Sequence, residues 1–107
     1  MKYTHCIYLA YKEGVLKIGK STYQRRHTRG FELRQKEELL TVRRYNLTGD
    51  ETKALFFESC LRSKVAKHYK VSHYGLDHFT ADITEIQKIV DDFSILMEQI
   101  AKVYKRI

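Results

Sequence analysis

Four side chains of this chain are of the types that hydrolysis of a phosphodiester bond requires. They are a tyrosine and a lysine near the N-terminus, an arginine in a basic segment and a glutamate further along: Tyr8, Lys17, Arg26 and Glu58. Such a reaction needs a nucleophile activated from water, a cation beside the phosphoryl oxygens and positioned hydrogen-bond donors. A phosphodiester nuclease would use all four residues.

Each of these side chains has a role that follows from its chemistry. A phenol keeps its proton at neutral pH, but a neighbouring ammonium favours the ionised form, so Lys17 could prepare Tyr8 to take a proton from water. Arg26 could donate two hydrogen bonds to a phosphate. Glu58 could hold one Mg²⁺ through a carboxylate oxygen, while water and substrate fill the other coordination positions.

Tyr8 and Lys17 lie in two short segments that predict a β-hairpin. Residues 6–10 and 15–19 alternate with a period of two, and Gly14 lies in the turn between them. The plainer alternative is a hairpin that packs on the core with one face while Tyr8 and Lys17 simply face water.

A basic segment follows the hairpin. Gly19 would let the chain pass close to a substrate, and residues 23–29 then predict a short helix. Together with Lys20 this helix supplies the predicted nucleic-acid-binding side chains: Lys20, Arg25, His27 and Arg29. A surface histidine in such a helix is more often inert, and that alternative stays open for His27.

The rest of the chain predicts one more strand and two long helices. Residues 39–45 have the β-branched and aromatic content of a strand. Thr48 and Glu51 have the spacing of a capping box, with Thr48 as the cap, and open a helix that can extend to about residue 69. The last helix starts near Ile83 and has apolar residues at steps of three and four almost to its end.

These elements predict a single domain over residues 1–107, of the α/β (α+β) class. Its small, mainly antiparallel sheet has three strands and is flanked by three helices. Residues 76–80 could add a short extended segment. Part of the wide apolar stripe on the last helix could be a dimer surface, so a homodimer is an open alternative.

Glu58 is at an unusual position in its helix. The apolar stripe runs through Ala54, Phe57, Leu61 and Val65, and Glu58 borders it. A carboxylate there costs free energy unless a cation or several donors satisfy it. A metal ion is one such partner, and a salt bridge to Arg62 one turn later is the other.

Composition indicates a polyanionic partner. The 107 residues contain 20 Lys and Arg against 13 Asp and Glu, a net charge of +7, which favours nucleic acid ahead of membrane. Apolar runs are far shorter than the roughly 20 residues of a membrane-spanning helix, and a signal-peptide pattern is missing. We therefore expect a cytoplasmic protein, in the host cytoplasm if the chain is phage-encoded. Cys6 and Cys60 form neither a disulfide framework nor a zinc motif.

The motifs resemble the GIY-YIG endonuclease superfamily, in its small phage-type and bacterial branch. Cys6-Ile7-Tyr8 and Lys17-Ile18-Gly19 look like the paired motif that names the family, in a form where the second motif reads KIG. An arginine, a glutamate in a long helix and the segment Leu76-Asp77-His78-Phe79 follow in the family's order. The resemblance covers residues 5–93.

The resemblance implies roles for individual residues. Tyr8 matches the tyrosine that acts as general base, and Lys17 stands where many members have a second tyrosine. Arg26 is the best match for the arginine that contacts the scissile phosphate, with Arg25 and Arg29 as alternates. Glu58 matches the single metal-ligating glutamate, which implies one Mg²⁺ or Mn²⁺ ion. Two departures from the family pattern are Cys6, which replaces a glycine, and the missing match for an asparagine near the C-terminal end.

The leading hypothesis is a metal-dependent DNA endonuclease that nicks DNA or cuts both strands. The alternatives are a non-catalytic DNA-binding module and a small phage protein that acts on a host factor. Target specificity is not readable, because in small domains it usually comes from added loops or partners.

Overall fold

An antiparallel sheet with two helices on one face makes up the described part of the chain. The computed structural model describes residues 2–12, 15–23, 41–66, 70–71, 78–80 and 83–107. The strands are β1 (His5–Lys12), β2 (Val15–Thr22), β3 (Thr41–Leu47), β4 (Lys70–Val71) and β5 (His78–Thr80). The helices are α1 (Glu51–Ala66) and α2 (Ile83–Lys105). The α+β class is therefore as predicted.

The sheet has the strand order β3-β1-β2-β5-β4, and all neighbouring strands are antiparallel. The three long strands are the predicted ones. Strands β4 and β5 extend the sheet beyond three strands, and β4 follows a segment that was predicted to be helical to about residue 69. A strand of two residues is too short to show a period in the sequence, so its pairing with β5 decides its conformation.

Two α-helices lie within the described residues, where three were predicted. The predicted helix over residues 23–29 falls outside them from residue 24 onward. Helix α1 is described as far as Ala66, and residues 67–69 of its predicted length lie outside the described residues. Helix α2 begins at Ile83 as predicted.

The core lies between one face of the sheet and the two helices. Strand positions that alternate along β1 and β2 are fully buried there: Ile7, Leu9, Leu16 and Ile18. The predicted stripe of α1 packs against them, and so does the apolar stripe of α2: Ala54, Phe57, Leu61 and Val65, with Ile86, Ile89, Val90, Phe93, Met97 and Ile100. Periods of two and 3.6 residues thus place these side chains in one core.

The N-terminus of α1 differs from the prediction. The cap is Asp50, because the Lys53 N–H donates to Asp50 Oδ1 at 2.9 Å. Gly49, with φ at 134°, turns the chain just before it, which separates Thr48 from the first turn of the helix. The predicted capping box of Thr48 and Glu51 is therefore wrong. Asp is as good a cap as Thr, and the backbone geometry decides between them.

Helix α2 is tied to β3 as well as to the core. The Tyr45 hydroxyl donates to Glu98 Oε1 at 2.8 Å. Desolvation and this hydrogen bond raise the pKa of Tyr45 to about 12.

Ile95 and Val103 are exposed on the outer side of α2. Neither described helix has the length and apolar character to span a membrane.

Candidate phosphodiester site on the hairpin

The register of β1 and β2 brings Tyr8 and Lys17 to the same face of the sheet. Tyr8 is opposite Gly19, and Ala10 is opposite Lys17. Paired residues of antiparallel strands point to the same side, and the intervening residues Ile7 and Ile18 occupy the core side. The predicted pair therefore lies on the face that α1 and α2 do not cover.

Tyr8 and Lys17 are both buried. Each has 5% of its surface exposed, so the alternative in which they simply face water is wrong. Burying an ammonium is costly unless other groups compensate it, and both residues have interaction partners. This face of the hairpin therefore holds a buried phenol and a buried lysine side chain.

The Tyr8 ring lies directly against the backbone of β2 at Gly19. A Cβ at Gly19 would be 2.3 Å from Tyr8 Oη and 2.4 Å from Cζ, far inside any real contact. The space that a side chain would fill is thus occupied by the phenol. Gly19 was predicted to let a substrate approach the backbone closely. In the structure it is the Tyr8 ring that lies against this backbone.

Glu58 lies on α1, which packs on the core face of the sheet. Its side chain is only 12% exposed, so the predicted half-buried position is confirmed. The Arg62 Nη1 group donates to Glu58 Oε1 at 3.2 Å, which is the salt bridge weighed as the alternative. Tyr8 and Lys17 are thus brought together, while Glu58 is carried by the helix that covers the opposite face.

Within the described residues, Glu58 fits a metal only as a single ligand. No group of three or more His, Cys, Asp or Glu side chains forms a metal-binding cluster in this part of the chain. A lone carboxylate suits a hard cation such as Mg²⁺, which keeps most of its water. Glu58 Oε2 is the oxygen that could serve, since Oε1 already accepts from Arg62.

Four of the predicted nucleic-acid or catalytic residues lie outside the described part of the chain: Arg25, Arg26, His27 and Arg29. Lys20, which was also predicted to bind nucleic acid, is described and forms an ion pair with Glu51 Oε1 at the start of α1. His5 Nε2 is 3.0 Å from Glu51 Oε2. The hydrogen bond from Lys20 lowers the pKa of Glu51.

This ion-paired cluster ties both hairpin strands to α1. His5 Nδ1 is also 3.0 Å from Thr4 Oγ1, and the Thr4 hydroxyl donates to the Gly49 carbonyl at 2.7 Å. This cluster was not predicted, because the spacing of Thr48 and Glu51 assigns the Glu51 carboxylate to the backbone of Thr48. The charge of Lys20 is partly neutralised here, which weakens its predicted contribution to DNA binding.

A further cation on the Tyr8 face was also missed. Arg44 of β3 is directly opposite Tyr8, on the side of β1 away from Gly19. Its neighbour Arg43 is opposite Leu9 and therefore belongs to the other face. The alternation of a strand predicts that Arg43 and Arg44 point to opposite faces of the sheet. Only the pairing of β3 with β1 shows that Arg44 is the one on the same face as Tyr8.

No protein-family model, curated protein or solved structure matches the chain. The resemblance to the GIY-YIG endonucleases therefore depends on the residues and spacings of the chain itself.

Proposed function

We propose that the chain is a metal-dependent endonuclease that hydrolyses DNA phosphodiester bonds. The observation that carries this proposal is the buried pair of Tyr8 and Lys17 on one sheet face, with the phenol packed on Gly19. A core hairpin has no need of a buried ammonium beside a phenol, because apolar residues would fill the same space at lower cost. Lys and Tyr are both side chains that act in general acid-base catalysis.

In this proposal the chain's own groups position and deprotonate the attacking water. Tyr8 Oη takes the proton from the attacking water, and Lys17 lies on the same face of the sheet. Arg26 binds the scissile phosphate, with Arg25 and Arg29 as alternates. Glu58 would hold one Mg²⁺ or Mn²⁺, which when bound supplies positive charge for the phosphoryl oxygens and the leaving group. Because α1 packs on the other face of the sheet, this proposal requires the ion and Tyr8 Oη to reach the same phosphate from different sides of the sheet.

DNA is the proposed partner and the cytoplasm the proposed compartment. The net charge of +7 supports a polyanionic partner. A single site is enough to nick one strand. Cleavage of both strands would require two sites that act in turn, or a homodimer.

A second candidate is a DNA-binding module that has kept the fold without catalysis. The observation that favours it is the position of Glu58: the carboxylate pairs with Arg62 and belongs to the helix on the opposite face from Tyr8. Such a pair satisfies a half-buried glutamate without any metal. Both candidates predict DNA binding that weakens with salt.

Cleavage assays on supercoiled plasmid distinguish the two candidates. Wild-type protein with MgCl₂ or MnCl₂ is expected to produce nicked or linear DNA. Glu58→Ala and Tyr8→Phe are expected to lose most of this activity, about 10²-fold or more for a lost base. Arg62→Ala is the matched control, because it removes the salt bridge but leaves the carboxylate.

The results separate a metal ligand from a structural glutamate. If Glu58 serves only Arg62, the Glu58→Ala and Arg62→Ala proteins should cut DNA equally well. If clean, folded wild-type protein leaves the plasmid intact with Mg²⁺, Mn²⁺, Co²⁺ and Ni²⁺, the enzyme proposal is refuted. Binding of labelled duplex at low salt would then support the non-catalytic candidate.

A further inference from the structure

Three positions in adjacent strands form a continuous row across the face that carries Tyr8. Arg44 of β3 is opposite Tyr8 of β1, and Tyr8 is opposite Gly19 of β2. Side chains directly opposite in antiparallel strands have Cβ atoms about 4.5–5.5 Å apart. The sheet therefore places the Cβ atoms of Arg44 and Tyr8 next to each other on one face.

The Tyr8 ring leans away from Arg44. Its Oη, Cζ and Cε1 atoms lie over Gly19 on the β2 side. Lys17 is two residues from Gly19 along β2, within diagonal reach of Tyr8 for a long side chain. Each strand beside β1 thus contributes one basic residue to the face that carries the phenol.

Arg44 differs from Lys17 in its exposure. Lys17 and Tyr8 are almost fully buried, whereas Arg44 is only half-buried. Arg44 is therefore nearer to solvent than Lys17, and like Lys17 and Tyr8 it already interacts with other groups of the protein. A phosphate would add to that interaction or exchange with it. Guanidinium binds phosphate through two parallel N–H donors, a geometry that an ammonium cannot provide.

We propose that Arg44 is a phosphate-binding residue of the Tyr8 and Lys17 site, and that its ligand is a backbone phosphate of nucleic acid. This inference rests on the proposed function for the location of the chemistry, but the phosphate contact itself needs only DNA binding. It adds to the site a cation from β3, which is independent of the basic segment at residues 24–29.

The neighbouring arginine provides a matched control. Arg43 is exposed and opposite Leu9, so its side chain belongs to the other face of the same strand. Arg43→Ala and Arg44→Ala remove the same charge from adjacent positions. Long-range attraction to DNA falls equally in both variants, so any difference between them reports a contact on the Tyr8 face. Arg44→Lys keeps the charge but loses the two-donor geometry.

The experiment measures binding of a fluorescein-labelled 20-base-pair duplex in EDTA, from 50 to 200 mM NaCl, together with plasmid cleavage in MgCl₂. We expect Arg44→Ala to reduce the slope of log K against log salt by about 0.9, the loss of one phosphate contact. We expect cleavage to fall about 10²-fold for Arg44→Ala, the scale of a lost donor to the reacting phosphate, and at least tenfold for Arg44→Lys. Arg43→Ala should leave the slope unchanged and cleavage within about twofold of wild type.

Circular dichroism at the assay temperature identifies any variant that has lost its fold, and Arg44→Lys preserves the buried stem if Arg44→Ala unfolds. If Arg43→Ala and Arg44→Ala change the salt slope and the cleavage rate equally, Arg44 is not the phosphate-binding residue. Cleavage by the wild-type protein would still support the proposed function in that case. If wild type binds DNA without cutting it, a smaller slope for Arg44→Ala alone supports the phosphate contact and refutes the nuclease. If wild type does not bind duplex at 50 mM NaCl, both proposals fail.

Discussion

Substitution of Gly19 by alanine tests the packing on which the Tyr8 face is built. The new Cβ would lie 2.3 Å from Tyr8 Oη, 2.4 Å from Cζ and 2.9 Å from Cε1. Three atoms of one rigid ring are involved, so the ring as a whole must move. Tyr8 is 5% exposed, and a buried ring has little room to rotate within a close-packed interior.

The size of the effect follows from two opposing terms. Overpacking a buried position costs about 1–3 kcal/mol, whereas replacing glycine within a strand gains about 0.5–1 kcal/mol of conformational entropy. We therefore expect Gly19→Ala to lower the free energy of unfolding by about 1–2 kcal/mol. In a domain of this length that corresponds to a decrease in Tm of roughly 5–15 °C.

A double-mutant cycle attributes the loss to the Tyr8 ring. Tyr8→Phe keeps Cζ, so Gly19→Ala should cost nearly as much in that background as in wild type. Tyr8→Leu lacks both Cζ and Oη, so there the cost should vanish or become a gain of up to about 0.5–1 kcal/mol. Thermal and urea unfolding of the six proteins, followed by circular dichroism, give the coupling energy.

The cycle also has a clear negative outcome. If Gly19→Ala has the same effect in the wild-type, Phe and Leu backgrounds, the phenol does not lie on Gly19. A neutral Gly19→Ala in wild type would refute the close contact by itself. Either result would remove the structural link between the first and second motifs of the hairpin.

Three further predictions concern the start of α1 and the tie between β3 and α2. Asp50→Ala should lower the free energy of unfolding in urea by about 1 kcal/mol, because the cap is lost. Thr48→Ala should lower it less. A larger loss for Thr48→Ala than for Asp50→Ala would refute Asp50 as the cap. The pKa of Glu51 is lowered in the folded state, so the contribution of Glu51 to the free energy of unfolding is present above its unfolded pKa and is lost as pH falls. Glu51→Gln should therefore make the free energy of unfolding depend less on pH in the acid range. An unchanged pH dependence would contradict this ion pair. Because the pKa of Tyr45 is raised to about 12, its contribution is present below the phenol's ordinary pKa of about 10 and lost as pH rises towards 12. Absorbance at 295 nm should show one tyrosine fewer titrating near pH 12 in Tyr45→Phe, and an unchanged curve there would be evidence against the Glu98 contact.

The hairpin and the long C-terminal helix were predictable because their signals are local and repeated. A period of two over residues 6–10 assigns each side chain to a face, and the structure has those faces. A 3.6-residue period over more than twenty residues in α2 leaves one way to bury the stripe. The half-buried position of Glu58 followed from the same helical geometry.

Contacts between distant segments were not predictable. The register that pairs Arg44 with Tyr8 depends on how β3 docks on β1, and a shift of one residue would have placed Arg43 there instead. Glu51 was expected to bond locally, but the tertiary fold brings Lys20 and His5 to it. Both cases involve charged side chains whose partners lie more than thirty residues away in the chain.

The position of Tyr8 affects how any loss of activity should be interpreted. Its ring supports β2 through the contact with Gly19, and its hydroxyl is the proposed base, so Tyr8→Ala would remove a structural and a chemical element together. Tyr8→Phe removes the hydroxyl and keeps the ring atoms that lie on Gly19. An inactive Tyr8→Phe protein with an unchanged Tm would therefore locate the chemistry at the hydroxyl. An inactive Tyr8→Ala protein alone would be equally consistent with a collapsed face.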